Sequence, residues 1–214
     1  MAKEAWPFLI PIGICSVVCL ILFRYVGHPW GGYLGGALLI AAGFIAFFFR
    51  DPKRHSPMGE GLVLASGDGK VLAVQPVAGD PWLEGDGVLV SVFLTIFNVH
   101  VNRIPISGRV DTVVQHPGKF RLAFSSRASS ENEQTIVRIQ APTCKVVVKQ
   151  IAGFIARRIV CRLAKGDTVR AGQRFGLIKF GSRIDHLLPS TAEVKVEVGD
   201  WVKAGETVIG VIPK

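Results

Sequence analysis

The stretch GVLVSVFLTIF, residues 87–97, decides the fold of most of this chain. A glycine opens it, Asn98 follows it, and Val, Leu, Ile and Phe fill most of what lies between. A short β-branched and aromatic run bounded by turn formers reads as a strand. The same texture recurs on both sides. KVLAVQPV (70–77) precedes it, and GRVDTVVQ (108–115), TIVRIQ (135–140) and CKVVVKQIAG (144–153) follow. Sustained helical periodicity is absent beyond residue 62, with room for at most one short helix near 120–130. The expectation is a compact, mostly antiparallel β domain over residues 51–214.

Upstream the texture changes. FLIPIGICSVVCLILF (8–23) and WGGYLGGALLIAAGFIAFFF (30–49) carry no charge, and they account for much of the 49% hydrophobic content. About 20 apolar residues cross a bilayer as a helix. The expectation is an N-terminal transmembrane hairpin over residues 1–50, with helices at about 8–26 and 30–49. A shallow re-entrant hairpin is the fallback. A signal peptide fits less well, because no small-residue cleavage site follows the first run and a second apolar run comes at once. The whole is therefore an α+β chain, mostly β with some α. Arg50, Lys53 and Arg54 crowd the exit of the second run, whereas the turn between the runs has only Arg24 near it. The positive-inside rule then puts the β domain in the cytoplasm, on a cell (inner) membrane. Gly31/Gly35 and Gly32/Gly36 have small-xxx-small spacing, although ordinary glycine use in membrane helices is the simpler reading.

The formal charge is +9. No recognition-helix pattern, zinc spacing or aromatic RNA platform accompanies it, so anionic membrane lipid is the expected partner and nucleic acid is not. Four cysteines, Cys15, Cys19, Cys144 and Cys161, show no C-x-x-C, and no two of the five histidines have ligand spacing. Neither a disulfide nor a metal is expected.

Two segments near the C-terminus share one layout. KGDTVRAGQRFGLIKF (165–180) and VGDWVKAGETVIGVIP (198–213) both read Gly-Asp-x-Val-basic-Ala-Gly and then a strand-like run. Gly-Asp opens one turn and Ala-Gly the next. Paired copies of this kind resemble the biotinyl/lipoyl type of β-barrel. A lipoyl-like C-terminal repeat is expected, with the junction between the copies exposed. A carrier would need a modifiable lysine there; Lys179 is the nearest and lacks flanking methionines. A non-enzymatic membrane-tethered adaptor or carrier is the rival reading.

Several stretches stand apart chemically. SGDGKV sets Asp68 between two glycines, which alone is a hairpin signal. NVHVNRIP (98–105) presents His100, Asn102 and Arg103 together, and QIAGFIARRIV (150–160) carries Arg157 and Arg158. GQRFGLIKFGSRIDHLLP places Gly181-Ser182 between two apolar runs. With FFRDPKR, these blocks occur in the order and spacing of the short, pyruvoyl-dependent phosphatidylserine decarboxylases, which the chain resembles over about residues 47–190 and in its two-helix N-terminus. The usual Pro-Ala-Asp-Gly is Ser-Gly-Asp-Gly here. Arg103 stands where longer members have a second histidine.

The resemblance implies a specific chemistry. Decarboxylating an amino acid requires an electron sink at Cα, commonly pyridoxal phosphate. This family makes its sink from its own backbone. Ser182 Oγ would attack the Gly181 carbonyl, turning the peptide into an ester, with Asp68 or His100 as base. β-Elimination would release residues 1–181 as the β chain. Hydrolysis with loss of ammonia would leave a covalent pyruvoyl group (pyruvate) at position 182 of the α chain, 182–214. That group would form a Schiff base with phosphatidylserine. His100 would return a proton to Cα, giving phosphatidylethanolamine and CO2. Catalytic Ser182, His100 and Asp68, cleavage at Gly181 and Ser182, and substrate contacts from Asn102, Arg103 and Arg157 are thereby implied. The partners are the lipid substrate and the heterodimer of cleaved chains, with a higher oligomer left open. An archaetidylserine-type substrate would need the same chemistry.

Overall fold

A computed structural model describes residues 1–27, 29–122, 128–153, 158–179 and 182–213. The chain divides into two compact units, Met1–Pro52 and Lys53–Lys214.

The first unit is a helical pair. After a 3-10 turn at Lys3–Ala5, α1 spans Trp6–Val26 and α2 spans Pro29–Phe48, each starting slightly earlier than the apolar runs suggest. Pro7 is tolerated in the first turn of α1, where backbone N–H groups have no helical acceptor. The helix stops at Gly27, whose φ of 70° suits glycine and whose N–H donates to the Phe23 carbonyl at 3.1 Å. Both helices are long and apolar enough to cross a bilayer, and most of their side chains remain exposed within the fold. Helices apolar on every side are compatible with membrane association. Their contact depends on small residues after all. A Cβ on Gly31 would lie 2.8 Å from the Cys19 carbonyl oxygen, and one on Gly35 would lie 2.7 Å from Leu20 Cγ. Ser16 Oγ donates to the Gly35 carbonyl at 2.9 Å. The Gly31/Gly35 spacing is thus helix packing rather than ordinary usage, while Gly36 faces open space.

The second unit is built of short strands. In chain order they are β1 Leu62–Leu64, β2 Gly69–Asp80, β3 Gly85–Leu94, β4 Val101–Arg103 and β5 Gly108–His116. The one-turn helix α3, Ala128–Glu131, lies in the window where a short helix is expected. Then come β6 Gln134–Gln140, β7 Lys145–Ala152, β8 Ile159–Cys161, β9 Thr168–Val169 and β10 Arg174–Ile178. The chain ends with β11 Ser182–Pro189, β12 Glu193–Val194, β13 Trp201–Val202 and β14 Val208–Val211. The large sheet has the order β13-β2-β3-β11-β7-β6-β5-β9; β4-β10-β8 and β1-β14-β12 form two smaller sheets. The named strands pair antiparallel, as the short alternating runs imply.

Side chains alternate across a strand, so each face of the large sheet collects its own apolar set. Val90, Val92, Leu94, Val146, Val148, Ile184 and Leu188 belong to the main core. Leu83, Leu89, Ile136, Val147 and Leu187 form a second cluster on the opposite face. β11 runs between β3 and β7 with both faces covered.

The Gly-Asp repeat is a true structural repeat, but not a hairpin. The Gly166 N–H donates to the Val110 carbonyl at 2.8 Å, and the Gly199 N–H does the same to Val71 at 2.9 Å. Gly172 and Gly205 donate at 2.8 Å to Ile104 and Ala65. All four have positive φ. One copy delivers β9 to β5 and the other delivers β13 to β2, so the copies close the two opposite edges of one sheet. The first half of the junction between them is not exposed, because Ser182–Leu188 lie buried in the central strand β11, whereas Ser190, Thr191 and Glu193 beyond it are exposed. A covered edge is also a protected edge.

Candidate active site

Ser182 opens β11, with Leu94 of β3 and Ala152 of β7 as its Cα partners. It is fully buried, and its Oγ has no hydrogen-bond partner among the described residues. Gly181, the other half of the expected cleavage site, lies outside the described residues, as does Arg157. Alternation puts Ser182, Ile184 and His186 on the main-core face of β11, and Arg183 and Asp185 on the other.

Three segments pack against this face of β11 or against its β7 neighbour Gln150. The first is Ser66-Gly67-Asp68. The Ser66 N–H donates to His186 Nε2 at 2.9 Å. A Cβ on Gly67 would lie 2.7 Å from Ile184 Cδ1 and 3.2 Å from the Leu94 side chain, so this backbone lies directly against the strands flanking Ser182. Gly69 is equally constrained, since a Cβ there would lie 2.0 Å from the Phe93 carbonyl oxygen. Asp68 follows with both carboxylate oxygens engaged. Oδ1 accepts the Ala204 N–H at 2.8 Å, and Oδ2 accepts Arg54 Nη2 at 2.6 Å.

The second segment is β4 and the residue before it. The His100 carbonyl accepts the Ile178 N–H at 3.4 Å, which continues the pairing of β4 with β10. The His100 ring is fully buried, and its Nδ1 lies 3.0 Å from the Asn98 carbonyl. A carbonyl only accepts, so Nδ1 carries hydrogen and Nε2 is the basic nitrogen of the neutral ring. Asn98 itself is fixed by its Oδ1, which accepts the Thr95 N–H at 2.8 Å and the Thr95 hydroxyl at 2.7 Å. Alternation sets His100 and Asn102 on one side of the strand and Arg103 on the other. Arg103 fastens the repeat turns: Nη1 donates to the Gly172 carbonyl at 3.0 Å, and its Cδ would touch a Cβ on Gly205.

The third contribution is Gln150 of β7, which the sequence reading missed. It is fully buried, and its Nε2 donates to Asn102 Oδ1 at 2.7 Å. Gln150 is the Cα partner of Ile184 and hence a diagonal neighbour of Ser182, about 7 Å away on the same face. A lone amide within the valine run CKVVVKQIAG was the available signal. His186 is the second residue the sequence does not single out, because it lies within the apolar run of β11. Its Nδ1 donates to the Val90 carbonyl at 3.2 Å, and burial pushes its pKa down to about 4 against the weaker upward pull of Val90 and Asp185. It is neutral and structural.

Among the described residues Ser182 Oγ is hydrogen-bonded to neither Asp68 nor His100. Among the described residues, no group of three or more His, Cys, Asp or Glu side chains is arranged to hold a metal. Lys179 is half-buried, and its N–H donates to the Arg158 carbonyl at 3.2 Å, unlike a carrier lysine at a hairpin tip.

Comparison with known proteins decides the family. A family model described as phosphatidylserine decarboxylase matches residues 41–210. The chain belongs to the phosphatidylserine decarboxylase family. A phosphatidylserine decarboxylase proenzyme of Magnetococcus marinus is 41% identical over 98% of this chain and 94% of its own length. One from Geobacter sulfurreducens is 43% identical over 100% of this chain and 97% of its own. One from Prosthecochloris aestuarii is 47% identical over 79% and 78%. The family match spans the Asp68, His100 and Ser182 segments together.

Proposed function

We propose that this chain is a self-maturing, membrane-associated lyase that converts phosphatidylserine to phosphatidylethanolamine and CO2. One observation carries the reading: in a chain of this family, a serine preceded by glycine opens the central strand with a buried hydroxyl that has no hydrogen-bond partner among the described residues. Structural serines in such positions are ordinarily bonded.

Maturation follows from the residues at that point. Ser182 Oγ adds to the Gly181 carbonyl, the C–N bond breaks, and the amide becomes an ester with a free amine on residue 182. The base that takes the hydroxyl proton is His100 Nε2 or Asp68. Loss of the Cα proton then expels the Gly181 carboxylate, severing the chain into residues 1–181 and 182–214. Water replaces the nitrogen as ammonia leaves, and residue 182 becomes a pyruvoyl group. The orphaned Ser182 environment suits that group, which supplies an electron sink for the pair released with CO2. His100, with Nδ1 turned to the Asn98 carbonyl, would then protonate the substrate Cα through Nε2. Asp68 and its Arg54 partner hold the SGDG segment against the strand.

The acyl chains stay in the bilayer, so the headgroup is met at the membrane surface. The two apolar helices and the excess of basic residues at the exit of α2 support a cell-membrane location with the β unit on the cytoplasmic side. The heterodimer of cleaved chains is held by the β11 ladders to β3 and β7.

Intact mass of the purified protein tests the reading. Wild type is expected as two pieces, the smaller starting at a blocked residue 182, and Ser182→Ala as one uncut inactive chain. A wild-type protein that stays uncut while releasing CO2 from the lipid would refute it.

A further inference from the structure

Three fully buried side chains, Ser182 and Gln150 on the large sheet and Asn102 on β4, lack part of their hydrogen bonding among the described residues: Ser182 at Oγ, Asn102 at Nδ2 and Gln150 at Oε1. Gln150 Nε2 donates to Asn102 Oδ1 at 2.7 Å and approaches the Val160 carbonyl at 3.5 Å. That carbonyl only accepts, so it fixes the Gln150 amide with its nitrogen inward. One donor, Asn102 Nδ2, and one acceptor, Gln150 Oε1, remain unused. Inverting both amides would still leave one of each. Burying such groups unpaired is costly, and native folds keep few of them. The backbone is shaped to accommodate this pair: a Cβ on Gly176 would lie 3.0 Å from Gln150 Nε2 and 2.1 Å from the Val160 carbonyl oxygen. β10 therefore passes over the pair at a distance only glycine allows.

We propose that Asn102 and Gln150 read the zwitterionic headgroup of the lipid. Gln150 Oε1 accepts an N–H of the primary amine, and Asn102 Nδ2 donates to an anionic oxygen of the same headgroup. This rests on the decarboxylase reading and adds a specificity element to it. A headgroup without an amine, such as glycerol, offers nothing to Gln150 Oε1. A quaternary ammonium has no N–H to give. Only a headgroup with both a primary amine and an anionic oxygen meets both vacant positions, and it does so beside Ser182, the diagonal neighbour of Gln150 on the sheet.

The full-length chain in vesicles of phosphatidylserine diluted into phosphatidylcholine provides the test, with an Asn102→Leu/Gln150→Met double variant. Replacing both orphaned partners by apolar side chains removes a desolvation cost, so the melting temperature is expected to rise by about 4 °C. Self-cleavage is expected to proceed, by intact mass. The KM expressed as phosphatidylserine mole fraction is expected to rise at least about tenfold. A lower melting temperature with unchanged KM would make the pair structural. An uncut double variant would assign it to maturation. Either result overturns the proposal. A mature wild type that releases no CO2 from phosphatidylserine would instead defeat the underlying decarboxylase reading. Should the double variant not accumulate, Asn102→Asp, which keeps the oxygen that Gln150 Nε2 bonds and removes the donor Nδ2, carries the same KM comparison.

Discussion

Arg54 Nη2 lies 2.6 Å from Asp68 Oδ2, and Arg54 Nη1 lies 3.1 Å from Glu206 Oε2. One guanidinium thus ties the SGDG segment to the second Gly-Asp repeat. Burial opposes the charge on Arg54, but Asp68 and Glu206 more than offset it and hold its pKa above the ordinary value. Both side chains of the Arg54–Asp68 pair are largely buried, at 7% and 13% exposed. Removing one partner of such a pair leaves an uncompensated charge. Arg54→Leu is expected to cost on the order of 3 kcal/mol, read as a lower urea midpoint for the detergent-solubilised chain. Arg54→Lys should recover part of it, because it restores the charge without the two-pronged geometry.

His186 makes the fold sensitive to acid. Its unfolded imidazole takes up a proton near pH 6.5, whereas the folded one does so only near 4. Between those values the unfolded state binds more protons, so stability is lost as the pH falls through that window and is fully present above it. The contribution integrates to about 3 kcal/mol at most. Unfolding midpoints measured from pH 7.5 to 4 should show this slope, and His186→Gln should flatten it. An unchanged slope in the variant would transfer the effect to other groups.

The two proposed acid–base residues, His100 and Asp68, should separate by the step they affect. His100→Ala is expected to lower decarboxylation by about 10²–10⁴-fold even where the chain is still cut. Asp68→Asn is expected to slow the cut itself, seen as uncut chain persisting in a mass time course after synthesis. Normal cutting in Asp68→Asn would leave that carboxylate its bonds to Arg54 and Ala204 as its whole role.

What was legible in the sequence was mostly local. Alternating Val and Ile runs gave the strands, uncharged stretches gave α1 and α2, and one turn of helix at Ala128–Glu131 lay where patterning left space for it. The blocks around Asp68, His100 and Ser182 were visible because each joins turn residues to a polar group in a fixed order. What was not legible depends on long-range pairing. The repeat predicted two similar turns but not that they would close opposite edges of a sheet, because edge assignment depends on β2 and β5, far away in sequence. Gln150 looked like the polar phase of an ordinary strand until β10 covered it. Arg103 shares a segment with His100, yet one residue of alternation turns it to the other side of β4.

Arg183 and Asp185 lie on the face of β11 opposite Ser182 and form a buried clamp. Arg183 Nε donates to Asp185 Oδ1 at 2.6 Å and Nη2 to Ser91 Oγ at 2.7 Å, while Ser129 Oγ donates to Asp185 Oδ2 at 2.8 Å. Ser91 and Ser129 precede the proposed cut, and Arg183 and Asp185 follow it, so the clamp joins the two products immediately next to residue 182. Asp185→Ala would leave Arg183 buried and unpaired, at an expected cost of about 3–5 kcal/mol. Arg183→Leu with Asp185→Leu removes both charges and should cost much less, since a buried pair repays little beyond its own desolvation. A double-mutant cycle on thermal unfolding separates these cases. The mature form adds a second readout. With no peptide bond upstream of residue 182, Arg183 is the first side chain that can hold the end of the strand in place. Asp185→Ala should therefore release the small chain in urea at a lower concentration than it unfolds uncut Ser182→Ala/Asp185→Ala. Equal midpoints for the cut and uncut forms would show that the β11 ladders alone hold the end in place.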